Sequence, residues 1–164
     1  DSMEIKKSFK EYSLSFLMII LIFTFDQVSK KIIINNQVEN NVIFINDFIN
    51  FNLTWNTGIG FGLLSFSSGL IYNMISLIIF LVVCYLLYLL ILSTKFERIF
   101  YSFIIGGALG NFYDRVSNFA VPDFIDLHYK QFHWFTFNIA DIFISLGIIL
   151  ILLNEVFLKK NEKN

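Results

Sequence analysis

The chain has 164 residues, 56% of them hydrophobic and 18% aromatic, with 21 Phe, 15% charged residues, a net charge of −1 and a mean hydropathy of +0.67. An ordinary soluble domain is about a quarter charged, so one small core cannot hide this apolar excess and lipid must solvate much of it. The charge carries no nucleic-acid signal, and a single cysteine, Cys84, excludes an internal disulfide.

The predicted elements are those of one integral membrane domain over residues 1–164, with Asp1-Ser2 before Met3 read as a cloning scar. The first apolar segment, Tyr12–Phe25, is not followed by a small-residue cleavage site and reads as a retained span. Leu70–Leu92 alone has the roughly 20 apolar residues that cross hydrocarbon unaided. Ile99–Tyr113 and Ile142–Asn154 are shorter. Three of the four segments are bounded by an acid: Asp26, Asp114 and Asp141. Spans over about 12–30, 70–92, 97–115 and 139–158 are expected. Cys84, between Val83 and Tyr85 in the second, is expected to be buried and inert.

Lys and Arg set the orientation. They cluster at Lys6, Lys7 and Lys10, at Lys95 and Arg98, and at Lys159, Lys160 and Lys163, while 32–94 has none. Both termini and the 93–98 link are therefore expected in the cytoplasm. The acids that end three helices then share one depth, near the outer surface, and point to a site opening outward at the lipid–water boundary.

Outside the membrane, Ile49, Phe51, Leu53 and Trp55 alternate with Asn50, Asn52, Thr54 and Asn56, the period of a half-buried strand. Val42–Ile45 can pair with it across an Asn46-Asp47 turn. The fold class expected is a membrane all-α protein of four transmembrane helices with a small β element, an extracytoplasmic hairpin or cradle. The second outer segment, 116–137, reads as a loop holding Asp123, Asp126, His128 and His133.

Ionisable groups near a membrane are kept where they pair, line a wet cavity or do chemistry. Asp26 and Lys30, four apart in the favourable helical order, read best as an interfacial ion pair. Ser29 and Lys30 diverge on a helix and give poor support to a Ser/Lys nucleophile. Gly106 and Gly110 suit close helix packing, and Asn111 and Arg115 extend the Gly107 face as a polar stripe. That stripe could hold peptide carbonyls or orient a carboxylate. Asn138 can be an N-cap with Asp141 in the first turn, a reading that competes with catalysis. Asp123 follows Pro122 in the apolar stretch Val121–Ile125 and has no such explanation. Two aspartates brought together cannot both ionise cheaply; one keeps a proton and the other acts as base on a water.

Other protease classes fit poorly. The chain has no His-Glu-x-x-His and no Gly-x-Ser-Gly, and Gly58-Ile59-Gly60-Phe61 lacks the Asp of a Gly-x-Gly-Asp motif. His128, His133 and Asp126 could bind a metal in principle, but solvated loop histidines are the expectation. The rival reading, a small membrane transporter or ligand-binding protein, needs a conducting path, yet the second span has no ionisable residue.

Five ordered blocks carry a resemblance: Asp26–Lys30, Asn56–Phe61, Gly106–Arg115, Val121–Phe124 and Phe137–Asp141. Together they resemble bacterial lipoprotein signal peptidase, signal peptidase II. The resemblance implies an aspartic endopeptidase of the cytoplasmic (inner) membrane, active near its outer face. It would cleave prolipoproteins before the Cys that already bears diacylglycerol, without metal or cofactor. Asp123 and Asp141 match the catalytic pair. Asn56, Gly58, Asn111, Arg115, Asn138 and Ala140 match positions that shape the site or meet substrate, and Asp26 and Lys30 match a structural polar pair. The partners implied are prolipoproteins, membrane lipids and globomycin-type inhibitors; a monomer is expected. Ile59 and Gly60 depart from the family's commoner Ala, and Pro122 replaces a commoner apolar residue.

Overall fold

The computed structural model describes residues 2–36, 42–58 and 69–161; Ile59 and Gly60 therefore lie outside the described residues. Helices α1 (Ser2–Asn36), α2 (Gly69–Leu92), α3 (Glu97–Asn118) and α4 (Ile139–Asn161) alternate with two hairpins. Strands β1 (Ile43–Asn46), β2 (Ile49–Asn56), β3 (Val121–Tyr129) and β4 (Phe132–Phe137) form one antiparallel sheet in the order β1-β2-β3-β4. The expected class, a helical membrane protein with a small β element, is what the chain adopts.

Helix α3 is the centre of the bundle and packs against α1, α2 and α4. Its glycines make that possible. A Cβ on Gly106 would stand 2.8 Å from the Ile22 side chain, one on Gly107 2.5 Å from the Ala140 carbonyl, and one on Gly110 2.5 Å from an Asp26 carboxylate oxygen. Gly106 and Gly110 thus seat α1 while Gly107 seats α4. Among the described residues, two stretches are long and apolar enough to cross a bilayer, Tyr72–Leu92 and Ile139–Val156. Helix α2 leaves Leu77, Leu81, Tyr88 and Ile91 on the outside of the protein, the pattern of a lipid-facing surface.

Several expectations are corrected. The acids at Asp26 and Asp114 do not end their helices: α1 continues to Asn36 and α3 to Asn118. Both carboxylates are buried against Lys30, so the helix need not stop to let them reach water. Cys84 is exposed rather than buried, because α2 packs with its other face. The 116–137 segment is not a loop: 116–118 complete α3, and 121–137 form the β3–β4 hairpin. Helix α3 turns into it through Phe119, whose φ of 56° is left-handed and whose N–H donates to the Arg115 carbonyl. No glycine marks that turn, and a non-glycine residue there costs about 1–2 kcal/mol.

The sheet docks on the C-terminal end of α1 through Ile33, Phe124 and Ile125, with Phe51, Leu53 and Phe137 packed around them. Strand β2 keeps its period-two pattern only in part. Asn50 and Asn56 are buried and Trp55 is exposed, since the β2–β3 register shifts between Phe51 and Thr54. Beyond the shift Trp55 pairs with Pro122 and Thr54 with Asp123, which brings Asn56 and Asp123 to one side of the sheet.

Candidate active site

Helical periodicity divides the polar end of α3 into two faces. Asp114 lies four residues after Gly110 and faces α1, whereas Arg115 lies four after Asn111 and faces the α4 side. On the α1 face, Lys30 Nζ donates to Asp26 Oδ2 (2.7 Å), Asp114 Oδ2 (2.6 Å) and Asn111 Oδ1 (2.9 Å), which uses all its protons. Gln27 Nε2 adds bonds to both acids and to the Gly110 carbonyl. Asp26 Oδ1 accepts the Ala140 N–H at 2.9 Å and so fixes the start of α4. The pair expected at the interface is therefore a fully buried three-charge lock between α1, α3 and α4. Asp114 and Gln27 are members that sequence reasoning does not pick out; the i+4 spacing of Asp114 from Gly110 is the available signal.

Asn111 joins this lock to the second face. Its Oδ1 is held by Lys30, so its Nδ2 is directed to Asp141 Oδ1, 2.8 Å away. Asn138 works alike. Its Oδ1 accepts the Asp141 N–H (3.1 Å), and its Nδ2 donates to Asp123 Oδ1 (2.6 Å) and Asn111 Oδ1 (3.1 Å). Asp141 Oδ2 in turn accepts the Asn138 N–H at 3.1 Å. This is a reciprocal capping box at the head of α4, the geometry that the capping reading of Asn138 and Asp141 describes. Asn56 Oδ1 accepts the Gly58 N–H, and its Nδ2 donates to Asp123 Oδ2, each at 2.9 Å. Three amides, each pinned through its oxygen, thus present N–H groups to the four oxygens of Asp123 and Asp141, helped by one backbone N–H.

Asp123 is 3% exposed. Burial lifts its pKa to about 6, the Asp141 charge adds to the rise, and the Asn56 and Asn138 bonds oppose it. Both acids border a groove of about 490 Å³ between α2, α3 and α4, together with Asn56, Asn111 and Arg115 at its polar end and aliphatic residues such as Ile79 and Val83 elsewhere. Arg115 makes no ion pair with either acid among the described residues. It donates instead to the Gly58 carbonyl at 2.6 Å and to the Asn111 carbonyl at 3.4 Å, and so ties the strand β2 exit to α3. Ala140 is buried, with its N–H on Asp26, and faces the lock rather than the groove.

Neither histidine lies in a loop; His133 is exposed to solvent as expected, whereas His128 is not. His128 is buried with Nε2 2.8 Å from Asn50 Nδ2, and His133 Nδ1 lies 2.7 Å from Asp126 Oδ2. The β3–β4 hairpin carries them into the sheet, away from the Asn56–Asp123 side.

A bundle of apolar helices under a small sheet, with an aliphatic groove that ends in polar groups at their junction, is the architecture of a helical membrane enzyme, and two solved structures share it. Each is a bacterial membrane enzyme structure obtained by the in meso method. One, at 2.3 Å resolution, superposes with a TM-score of 0.73 at 30% identity, covering 91% of this chain and 91% of that one. The other, at 1.9 Å, gives 0.74 at 32% identity over 87% of this chain and 92% of its own. Residues 18–157 match the family Signal peptidase (SPase) II, and the chain belongs to that family of bacterial signal-peptide-cleaving aspartic peptidases of the inner membrane. Among its relatives are a lipoprotein signal peptidase of Pelagibacter ubique (strain HTCC1062), 44% identical over 97% of this chain and 99% of that protein, and one of Rickettsia prowazekii (strain Madrid E), 39% identical over 95% and 82%. Membership of a peptidase family sets the transporter reading aside.

Proposed function

We propose that this protein cleaves diacylglyceryl-modified prolipoproteins just before the lipidated Cys, with Asp123 and Asp141 activating one water. The observation that carries the reading is Asn138, hydrogen-bonded to both acids at the polar end of a groove that is otherwise aliphatic. Asp123, lifted to about 6 by burial and by Asp141, holds the shared proton. Asp141, held by Asn111 and the Asn138 N–H, is the base. It takes a proton from the water, whose oxygen bonds to the scissile carbonyl carbon while Asp123 donates to the carbonyl oxygen. Collapse of the tetrahedral species breaks the C–N bond as one of its hydroxyls returns a proton to Asp123. The proton on Asp141 passes to the leaving amine, which becomes the N-terminus of the lipidated Cys. The step consumes one water and needs neither metal nor cofactor.

In this reading the four helices form one membrane domain, crossing at about 12–30, 70–92, 97–115 and 139–158. Both termini are cytoplasmic, and the dyad lies near the outer face. The substrate's signal helix enters the groove sideways from lipid, and its acyl chains stay in the bilayer. Anchoring in two dimensions then supplies much of the required orientation. Asn56, Gly58, Asn111, Arg115 and Asn138 shape the site, Ala140 ties it to α1, and Asp26 and Lys30 hold the helices. A globomycin-type peptide would bind across the dyad of a monomeric enzyme.

A lipidated prolipoprotein peptide should be cut before its Cys and the same peptide without lipid left intact; equal cleavage of both would refute the substrate assignment. The pH profile gives a second check. Since Asp123 must be protonated in the free enzyme, kcat/KM should fall about tenfold per pH unit above a pKa near 6. A kcat/KM that rises through this range would assign the shared proton elsewhere.

A further inference from the structure

Helix α3 carries a second groove on a face other than the one that borders the acids. Ala108, Asn111 and Arg115 border the dyad groove. Leu109, Phe112 and Val116, roughly 100° further round the helix, form with Phe16 and Ile20 of α1 an apolar trough of about 420 Å³. Phe23 and Tyr113, whose rings meet edge to face with centroids 5.8 Å apart, border this trough and also the next cavity along the helices. That cavity, about 480 Å³, sets the polar groups of Gln27, Lys31, Ser117 and Asn118 beside Phe23, Ile34 and Tyr113.

Lys31 and Lys30 are adjacent but differ in every respect. Lys30 is buried and saturated by its three acceptors. Lys31 is exposed and has no ion pair among the described residues. A cation at the rim of a part-polar cavity that shares Phe23 and Tyr113 with an apolar trough is the complement of a phosphodiester on an acyl chain. The length agrees. From Ile20 to Lys31 the helix rises about 16 Å at 1.5 Å per residue. The hydrocarbon of one leaflet is about 15 Å deep, half of a roughly 30 Å core.

We propose that α1 and α3 seat one phospholipid of the outer leaflet, an acyl chain in the Phe16–Val116 trough and its phosphate at Lys31. The leaflet rests on the orientation proposed above; the seat itself does not, and it is independent of the dyad. The lipid would cover the back of the Lys30–Asp114 lock, which also borders the part-polar cavity. Through Lys30 and Asn111 that lock holds Asp141, so the seat braces the site from outside the substrate groove.

The test is native mass spectrometry of the full chain released from detergent, with dioleoylphosphatidylglycerol as the probe, and it reads binding rather than cleavage. One lipid per chain should be retained. Lys31→Glu, a surface change that leaves the fold intact, should weaken retention at least tenfold. Leu109→Trp, which fills the trough, should weaken it similarly. Dioleoylglycerol, with the same chains and no phosphate, should not compete. Retention by both variants equal to that of the unaltered protein would overturn the proposal. Competition by dioleoylglycerol would also overturn it, by showing a crevice that reads acyl chains alone, such as those of a diacylglyceryl substrate.

Discussion

Asp123→Asn and Asp141→Asn should each lower cleavage of a lipidated peptide by about 10³-fold or more, within the range removed with a general acid or base, and the double variant should lose no more than either single one, because the two act as a unit. Folding should survive. Burial raises Asp123 to about 6, so between pH 4 and 6 the native state binds the proton that the unfolded chain releases. The stability from that proton is full below about pH 4 and lost as pH rises through 6. At neutral pH the ionised acid therefore costs on the order of 2–3 kcal/mol. A neutral amide removes this cost. It also offers one acceptor where Asn56 and Asn138 both donate, which forfeits about 1 kcal/mol. Thermal unfolding at neutral pH should therefore be unchanged or later. Full turnover by either variant would remove that residue from the mechanism.

Lys30→Ala should have the largest effect on stability. It leaves Asp26 and Asp114, both nearly inaccessible, without their cation, and breaking a buried pair by removing one partner costs about 3–5 kcal/mol. The damage should spread, because Asp26 also holds the Ala140 N–H and Lys30 fixes the direction of the Asn111 amide. Lowered thermal stability with partial recovery in Lys30→Met combined with Asp114→Asn is the expected outcome. A Lys30→Ala protein as stable as the original yet inactive would place Lys30 in the chemistry instead.

Much of this is legible in the chain because membrane sequences state their spans openly. The apolar run from Leu70 to Leu92 marks a helix by length and composition, and the Asn/apolar alternation ending at Asn56 marks a strand by its period. The glycine spacing on α3 likewise signals close packing, and Gly106, Gly107 and Gly110 each meet a neighbour. What stays hidden is mostly pairing at a distance. Asp26 and Asp114 look like helix ends because a lone carboxylate cannot stay in hydrocarbon; only the third partner, Lys30, lets both helices run on. Strand β3 reads as loop because Asp123, Asp126 and His128 break its apolar run, and their partners Asn56, His133 and Asn50 lie on neighbouring strands. The polar face of β2 has the same origin: its asparagines serve the site and the sheet, so its buried positions are not its apolar ones. Cys84 looks internal from its apolar neighbours, yet in lipid an apolar face need not be a buried one.

The sharing of one oxygen by the two carboxylates is tested most directly by a crystal structure of the full chain with a globomycin-type peptide bound. A hydroxyl or water within about 3.2 Å of an oxygen on both Asp123 and Asp141 is the expected result. Nearest carboxylate oxygens more than about 6.5 Å apart, beyond the reach of two hydrogen bonds from one atom, would contradict it.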